Sequence, residues 1–149
     1  MKAVLVFAIA LLWSVNAKAA GETPSSVAEA FATALSAADQ DAVKRYLSPD
    51  VLIYETGGQE ASRAEYASHH LGADMAFIAK LKRSTLSRQE GVGGDLAWVA
   101  TRTRLTGTYK DKPVDLYSTE SLVLKRGPDG WRIIHVHWSS APVEPLKSP

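Results

Sequence analysis

Gly130-Trp131-Arg132-Ile133-Ile134-His135-Val136-His137-Trp138-Ser139-Ser140 is dense in aromatic and β-branched side chains and has no proline or internal glycine. That composition predicts a long strand over 131–139. Strict alternation puts Trp131, Ile133, His135, His137 and Ser139 on one face, and Arg132, Ile134, Val136 and Trp138 on the other. The preceding Gly127-Pro128-Asp129-Gly130 reads as a tight turn, so Val114 to Lys125 becomes the neighbouring strand. Working back, Lys110-Asp111-Lys112-Pro113 closes a strand from Leu96 to Tyr109. Gly91 to Asp95 then separates it from a weaker one at Leu86 to Gln89.

Upstream the period changes from two to 3.6. Thr23 followed by Pro24 gives a capping hydroxyl before a proline at the first helical position, and Val27, Phe31, Ala34, Leu35 and Ala38 then recur at helical spacing. Asp39 can cap a second helix carrying Val43, Tyr46 and Leu47, which has to stop near Ser48 because Pro49 restricts its predecessor. Val51 to Tyr54 reads as a strand and Thr56-Gly57-Gly58 as a turn. Ser62-Arg63-Ala64-Glu65 is a capping box opening a third helix through His69 and His70 to Ile78, with Gly72 as the expected break. Helices first and a meander of strands after predict an α+β domain, its N-terminal helices packed on a strongly curved antiparallel sheet. The tail over 141–149 carries three prolines and is expected to be irregular.

The first twenty residues differ in kind. A basic Met1-Lys2, an apolar run from Ala3 to Val15 and the small-residue ending Asn16-Ala17-Lys18-Ala19-Ala20 predict a secretory signal peptide cleaved after Ala19. The apolar run spans only ~20 Å as a helix, short of a ~30 Å hydrocarbon core. The expected organisation is a signal peptide over 1–19, one domain over 20–140 and a tail over 141–149, in a periplasmic or secreted protein with no membrane attachment after cleavage.

In all there are 149 residues, enough for one domain with a core and too few for two. Lys and Arg number 17 against 16 Asp and Glu, which argues against nucleic acid as a partner. No cysteine occurs, so disulfides, thiolate metal sites and cysteine nucleophiles are excluded. Nor is there a Gly-x-Ser-x-Gly elbow, a Walker loop, a dinucleotide fingerprint or a His-Glu-x-x-His motif.

The four histidines fall in two clusters, His135 with His137 on the last strand and His69 with His70 on the third helix. Three readings stand side by side. The imidazoles can be hydrogen-bonded core residues, with Glu120 or Tyr117 as neighbours. They can line a small-molecule pocket and shuttle protons near neutral pH, as a lyase or isomerase requires. Or His135, His137 and His70 can ligate zinc or copper, with Glu55 as an oxygen ligand. Asp74 lies where it could orient His70, and Tyr66 shares a helical face with that histidine. Trp98 offers an aromatic wall for an apolar ligand.

The order of elements, with Asp39-Gln40-Asp41-Ala42-Val43, Leu47-Ser48-Pro49-Asp50-Val51, Ser62-Arg63-Ala64-Glu65-Tyr66 and the closing Gly-Trp-x-Ile-x-His-x-His strand, resembles the nuclear transport factor 2-like superfamily, specifically its SnoaL-like branch. The resemblance runs from about Ser25 to Ser140. It implies a cone-shaped α+β barrel with an internal pocket, usually a homodimer formed across the sheet. Relatives range from ketosteroid isomerase-like enzymes, polyketide cyclases and dehydratases to ligand carriers and a kinase association domain. It also implies a pocket Asp or His as acid/base, and places His137 where this branch commonly has a histidine. The isomerase branch's Tyr and Asp oxyanion pair has no residue-by-residue counterpart here.

The expectation is an exported protein whose pocket takes a small organic molecule, with His137, His135 and His70 as acid/base residues. Tyr54, Glu55, Tyr66, His69, Trp98, Tyr117 and Glu120 are the candidate ligand contacts. No cofactor is expected under this reading. The alternatives are a zinc- or copper-binding module built on His70, His135 and His137, and a non-catalytic dimerisation or association domain.

Overall fold

The structure is a computed structural model that describes residues 22–143; the expected signal peptide and residues 144–149 lie outside the described residues. Four helices come first among these: α1 Pro24–Ser36, α2 Gln40–Tyr46, α3 Arg63–His69 and α4 Leu71–Ile78. Six strands make one sheet: β1 Leu47–Glu55, β2 Gly58–Glu60, β3 Leu81–Gly93, β4 Leu96–Tyr109, β5 Lys112–Gly127 and β6 Gly130–Pro142. Their order is β2-β1-β6-β5-β4-β3, a curved sheet that does not close on itself.

Capping explains the helix starts. The Thr23 hydroxyl accepts from Ser26 N at 3.1 Å while Ser26 Oγ accepts from Thr23 N at 2.9 Å, so two orphan donors of α1 are satisfied reciprocally. Asp39 does the same for α2, accepting from Ala42 N at 2.9 Å. Ser62 accepts from Glu65 N at 3.1 Å at the start of α3, and Glu65 reaches back to Ala61 N at 2.8 Å.

The helices lie on one face of the sheet and the core forms between them. From α1 it takes Val27, Ala28, Phe31, Ala34 and Leu35; from the sheet it takes Val51, Ile53, Ala97, Val99, Leu122, Leu124, Trp131, Ile133 and Val136. Burying one such aliphatic or aromatic side chain is worth about 1.5–3 kcal/mol, against a conformational-entropy cost of similar total size.

Several expectations from the sequence change. The sheet is not wholly antiparallel: β1 runs parallel to β6, with Leu52 opposite His135 and Tyr54 opposite His137. The helix over 63–78 breaks at His70 rather than Gly72, where the backbone takes φ −111° and no side chain caps α4. Gly91 and Gly93 belong to β3 rather than to a loop, and β6 continues through Ala141 and Pro142. The faces of the last strand change most. Val123 pairs with His135 but Leu124 pairs with Ile133, so Ile134 is an extra residue, a β-bulge. Alternation resets there, and Trp131, Ile133, Val136 and Trp138 all face the helices while His135 and His137 face away.

Candidate functional site

Between the helices and the open end of the sheet lies a cavity of about 120 Å³. Ala32 and Leu35 of α1, Phe77 and Ile78 of α4, Leu105 of β4, Leu116 of β5 and Trp138 of β6 give it apolar walls. Its polar groups are Glu55, Asp74, Arg83, Thr101, Thr103, Ser118, Glu120, Ser139 and Ser140.

The sheet register builds this site as a row. Glu55 on β1 is opposite Trp138 on β6, Trp138 opposite Glu120 on β5, Glu120 opposite Thr101 on β4, and Thr101 opposite Arg88 on β3. Hydrogen bonds tie the row together. The Trp138 indole N–H donates to Glu120 Oε2 at 2.8 Å, and Arg88 Nε donates to Thr101 Oγ1 at 3.1 Å. Arg88 also donates to Glu29 of α1 at 2.8 Å, and Arg83 pairs with the other oxygen of that carboxylate. Trp138 is fixed from above by stacking on Phe31 (6.1 Å, 4°) and by the tilted Tyr66 ring at 6.2 Å.

A second carboxyl group comes from α4. Tyr66 of α3 is fully buried, and its hydroxyl donates to Asp74 Oδ2 at 2.8 Å. Glu60, also buried, meets Nδ1 of His70, whose side chain is 60% exposed at the break between α3 and α4. Asp74 and Glu120 are therefore held alike. Each gives one oxygen to an aromatic side-chain donor, and the other oxygen has no hydrogen-bond partner among the described residues.

Electrostatics follow from this enclosure. Burial holds the Glu120 carboxyl above the usual carboxylate range, against the Trp138 hydrogen bond and the charges of Arg88 and Arg83. Burial also raises Asp74, while Tyr66 and His70 act the other way and Glu60 adds to the rise. Glu55 is raised by burial, then by Asp74 and Glu60, with His70 opposing. Burial and the neighbouring carboxylates push the Tyr66 phenol well above its ordinary value, so it stays a donor. Glu29 is the contrast: burial would raise it, but Arg83 and Arg88 outweigh burial and it falls. Three carboxyl groups that hold protons more tightly than in water thus surround one apolar cavity, a pattern suited to proton transfer.

Of the residues singled out in the sequence, Glu55 and Glu120 line this cavity and Tyr66 stands behind Asp74. His70 sits beside the carboxyl cluster through Glu60, and His69 is exposed at the end of α3. His135 and His137 do not reach the cavity, because the bulge at Ile134 turns both to the outer face. Tyr54, Trp98 and Tyr117 share that outer face: Tyr54 packs edge-on to His135, Tyr117 lies under Arg102 at 4.2 Å, and Trp98 is 47% exposed. The sequence pairs Asp74 with His70; the structure pairs it with Tyr66. Arg83, Thr101, Thr103 and Ser118 were not singled out, although the alternation Leu116, Ser118, Glu120, Leu122 and Leu124 on β5 already sets Ser118 and Glu120 on the core face.

A model of the SnoaL-like domain family matches residues 25–144. Among solved structures, a ketosteroid isomerase-like protein from Shewanella frigidimarina is 39% identical, covering 76% of this chain and 91% of that one, with a TM-score of 0.74. A nuclear transport factor 2-like protein with a cystatin-like fold from Novosphingobium aromaticivorans is 16% identical over 75% of each chain, with a TM-score of 0.63. A CaMKII hub from S. rosetta is 20% identical over 77% of this chain and 92% of that one, with a TM-score of 0.64. No curated protein matches the chain.

Proposed function

The chain belongs to the SnoaL-like domain family, and from that premise we propose that its cavity binds a small, mainly apolar organic molecule and moves a proton on it, with carboxyl groups as acid and base. One observation carries the reading. Glu120 and Asp74 each present a free carboxyl oxygen to the same cavity, and each has its proton affinity raised by burial. The likeness to a ketosteroid isomerase-like protein at 39% identity supports an isomerase or lyase class of reaction.

Size guides the choice of substrate. The cavity, about 120 Å³, is of the same order as the ~150 Å³ that holds a benzene ring, which makes a one-ring molecule the natural first substrate. In the reaction envisaged, ionised Glu120 takes a proton from a carbon next to a ketone, and the electron pair moves onto the carbonyl oxygen. Asp74, whose proton burial helps to retain, is placed to donate a hydrogen bond to that oxygen. Glu120 then returns the proton two carbons further along, giving the conjugated ketone. Trp138 holds Glu120 in place and Tyr66 holds Asp74.

Cyclohex-3-enone, a one-ring unconjugated ketone, is the test substrate. The expected result is catalysed conversion to cyclohex-2-enone, followed by ultraviolet absorbance, with Glu120→Gln slower by about 10²–10⁴-fold and the His135→Ala/His137→Ala double variant unchanged. Full activity in a folded Glu120→Gln protein would overturn the reading.

Two companion proposals concern the setting. The basic, apolar and small-residue pattern of Met1–Ala20 supports export to the periplasm or beyond, tested by the N-terminal mass of protein recovered from each cell fraction. The exposed Trp98 and Tyr54 on the outer sheet face support pairing of two copies there. Sedimentation at equilibrium checks this, with Trp98→Asp expected to give monomers.

A further inference from the structure

The outer face carries a second constellation that the cavity chemistry leaves unused. We propose that His135 and His137 form a chelating site for a divalent transition-metal ion, copper(II) foremost, separate from the cavity and without His70. Three observations lead to it.

The first is direction. Alternation puts both imidazoles on one face, two residues and about 7 Å apart along the strand, a spacing that lets two imidazoles converge on one ion, and the bulge at Ile134 makes that face the outer one. The second is protonation. His135 Nδ1 lies 3.0 Å from the Leu52 carbonyl, which can only accept, so Nδ1 carries the hydrogen and the lone pair is at Nε2. A carbonyl on one ring nitrogen is the arrangement that fixes a metal-binding histidine's tautomer and aims the other nitrogen outward. That Nε2 meets no hydrogen-bond partner among the described residues and is not among the buried, unpartnered atoms. Tyr54 closes one side, its ring edge-on at 5.5 Å.

The third is the lack of a competing partner. Neighbouring positions on the same face are Val123 and Ser121 on β5 and Tyr54 on β1, none of them a carboxylate. His137 is exposed and makes no side-chain hydrogen bond among the described residues. Neutral imidazoles without carboxylates favour copper, nickel and zinc over calcium and magnesium, and copper binds such donors most tightly. His70 is excluded because its Nδ1 is engaged with Glu60 on α3's side of the molecule. No third His, Asp or Glu joins the pair among the described residues, so the remaining positions fall to water or to the same pair on a second copy.

The test is titration of the full chain, lacking any affinity tag, with copper(II) alone. Calorimetry gives stoichiometry and affinity, and paramagnetic broadening in ¹H–¹⁵N spectra gives location. The expected result is one ion per chain, or one per two chains if two copies share it, with the amides of 121, 123 and 135–137 broadened first. His137→Ala and His135→Ala each weaken binding at least about tenfold, while His70→Ala leaves it unchanged. Broadening centred on His69 and His70, or wild-type affinity in folded His137→Ala protein, would overturn the proposal. The broadening needs no variant, so misfolding of His135→Ala would not protect it.

Discussion

Ile134 has no partner on β5, and that one unpaired residue decides which side chains meet the cavity. Without it, His137 would share a face with Trp131 and Ile133; with it, Trp138 takes the inner place and brings its indole to Glu120. The cost of the site is then concentrated on Glu120, a carboxylate in surroundings that oppose its charge. Its folded-state pKa is raised, so its contribution to stability is fully present below the unfolded value and is lost as pH rises through the folded value. Glu120→Gln removes that loss. The variant should melt at a higher temperature than wild type at pH 8, with the gap shrinking toward pH 4, measured by calorimetry across that range. An inactive but stabilised variant is the combination expected of a functional carboxyl. At this scale the sequence is a poor guide: Glu55 and Glu120 are legible as candidates, but a bulge has no dependable signature in a run of β-branched residues, and simple alternation groups the histidines with Trp131 and Ile133.

Turns and helix ends were far more legible, because their chemistry is local. Thr23, Asp39 and Ser62 cap helices as their spacing requires, and the strand-to-strand turns fall where Gly94-Asp95, Lys110-Asp111 and Pro128-Asp129 stand. The β4–β5 hairpin nevertheless keeps a weakness. Lys110 and Asp111 both sit at positive φ, 50° and 61°, the arrangement of a two-residue turn that favours Asn-Gly. Left-handed backbone costs a residue with a Cβ about 1–2 kcal/mol, and glycine loses about 0.5–1 kcal/mol of that advantage to unfolded-state entropy. Asp111→Gly should therefore stabilise the fold by up to about 1 kcal/mol, read as a shift in the denaturant midpoint at constant slope. Gly91 shows the opposite logic. A Cβ there would come within 2.4 Å of the Trp98 indole nitrogen, so the glycine makes room for an aromatic ring lying across β3. The short β2 and the helix break at His70 are not legible in the sequence, since three strand residues carry no periodicity and His70 is no helix breaker by propensity.

At the scale of the molecule, the sheet is an instrument for bringing distant residues into line. Glu55, Trp138, Glu120, Thr101 and Arg88 come from five strands and form one row only because β6 lies between β1 and β5. The parallel β1–β6 pair is what an expectation of a simple meander lacks, and it places Glu55 within the electrostatic reach of Asp74. Class, element order and family were readable from pattern; the cavity's composition was not, because it depends on register between strands far apart in sequence. The account's central claim is that these carboxyls, and not the strand histidines, meet the ligand. Its most direct test is a ¹³C titration of the side-chain carboxyls by nuclear magnetic resonance, with and without phenol as a one-ring probe. The account predicts that Glu120, Asp74 and Glu55 titrate above the ordinary carboxylate range and shift when phenol is added, while His135 and His137 do not respond. Ordinary carboxyl values indifferent to phenol, with the histidine signals moving instead, would contradict it.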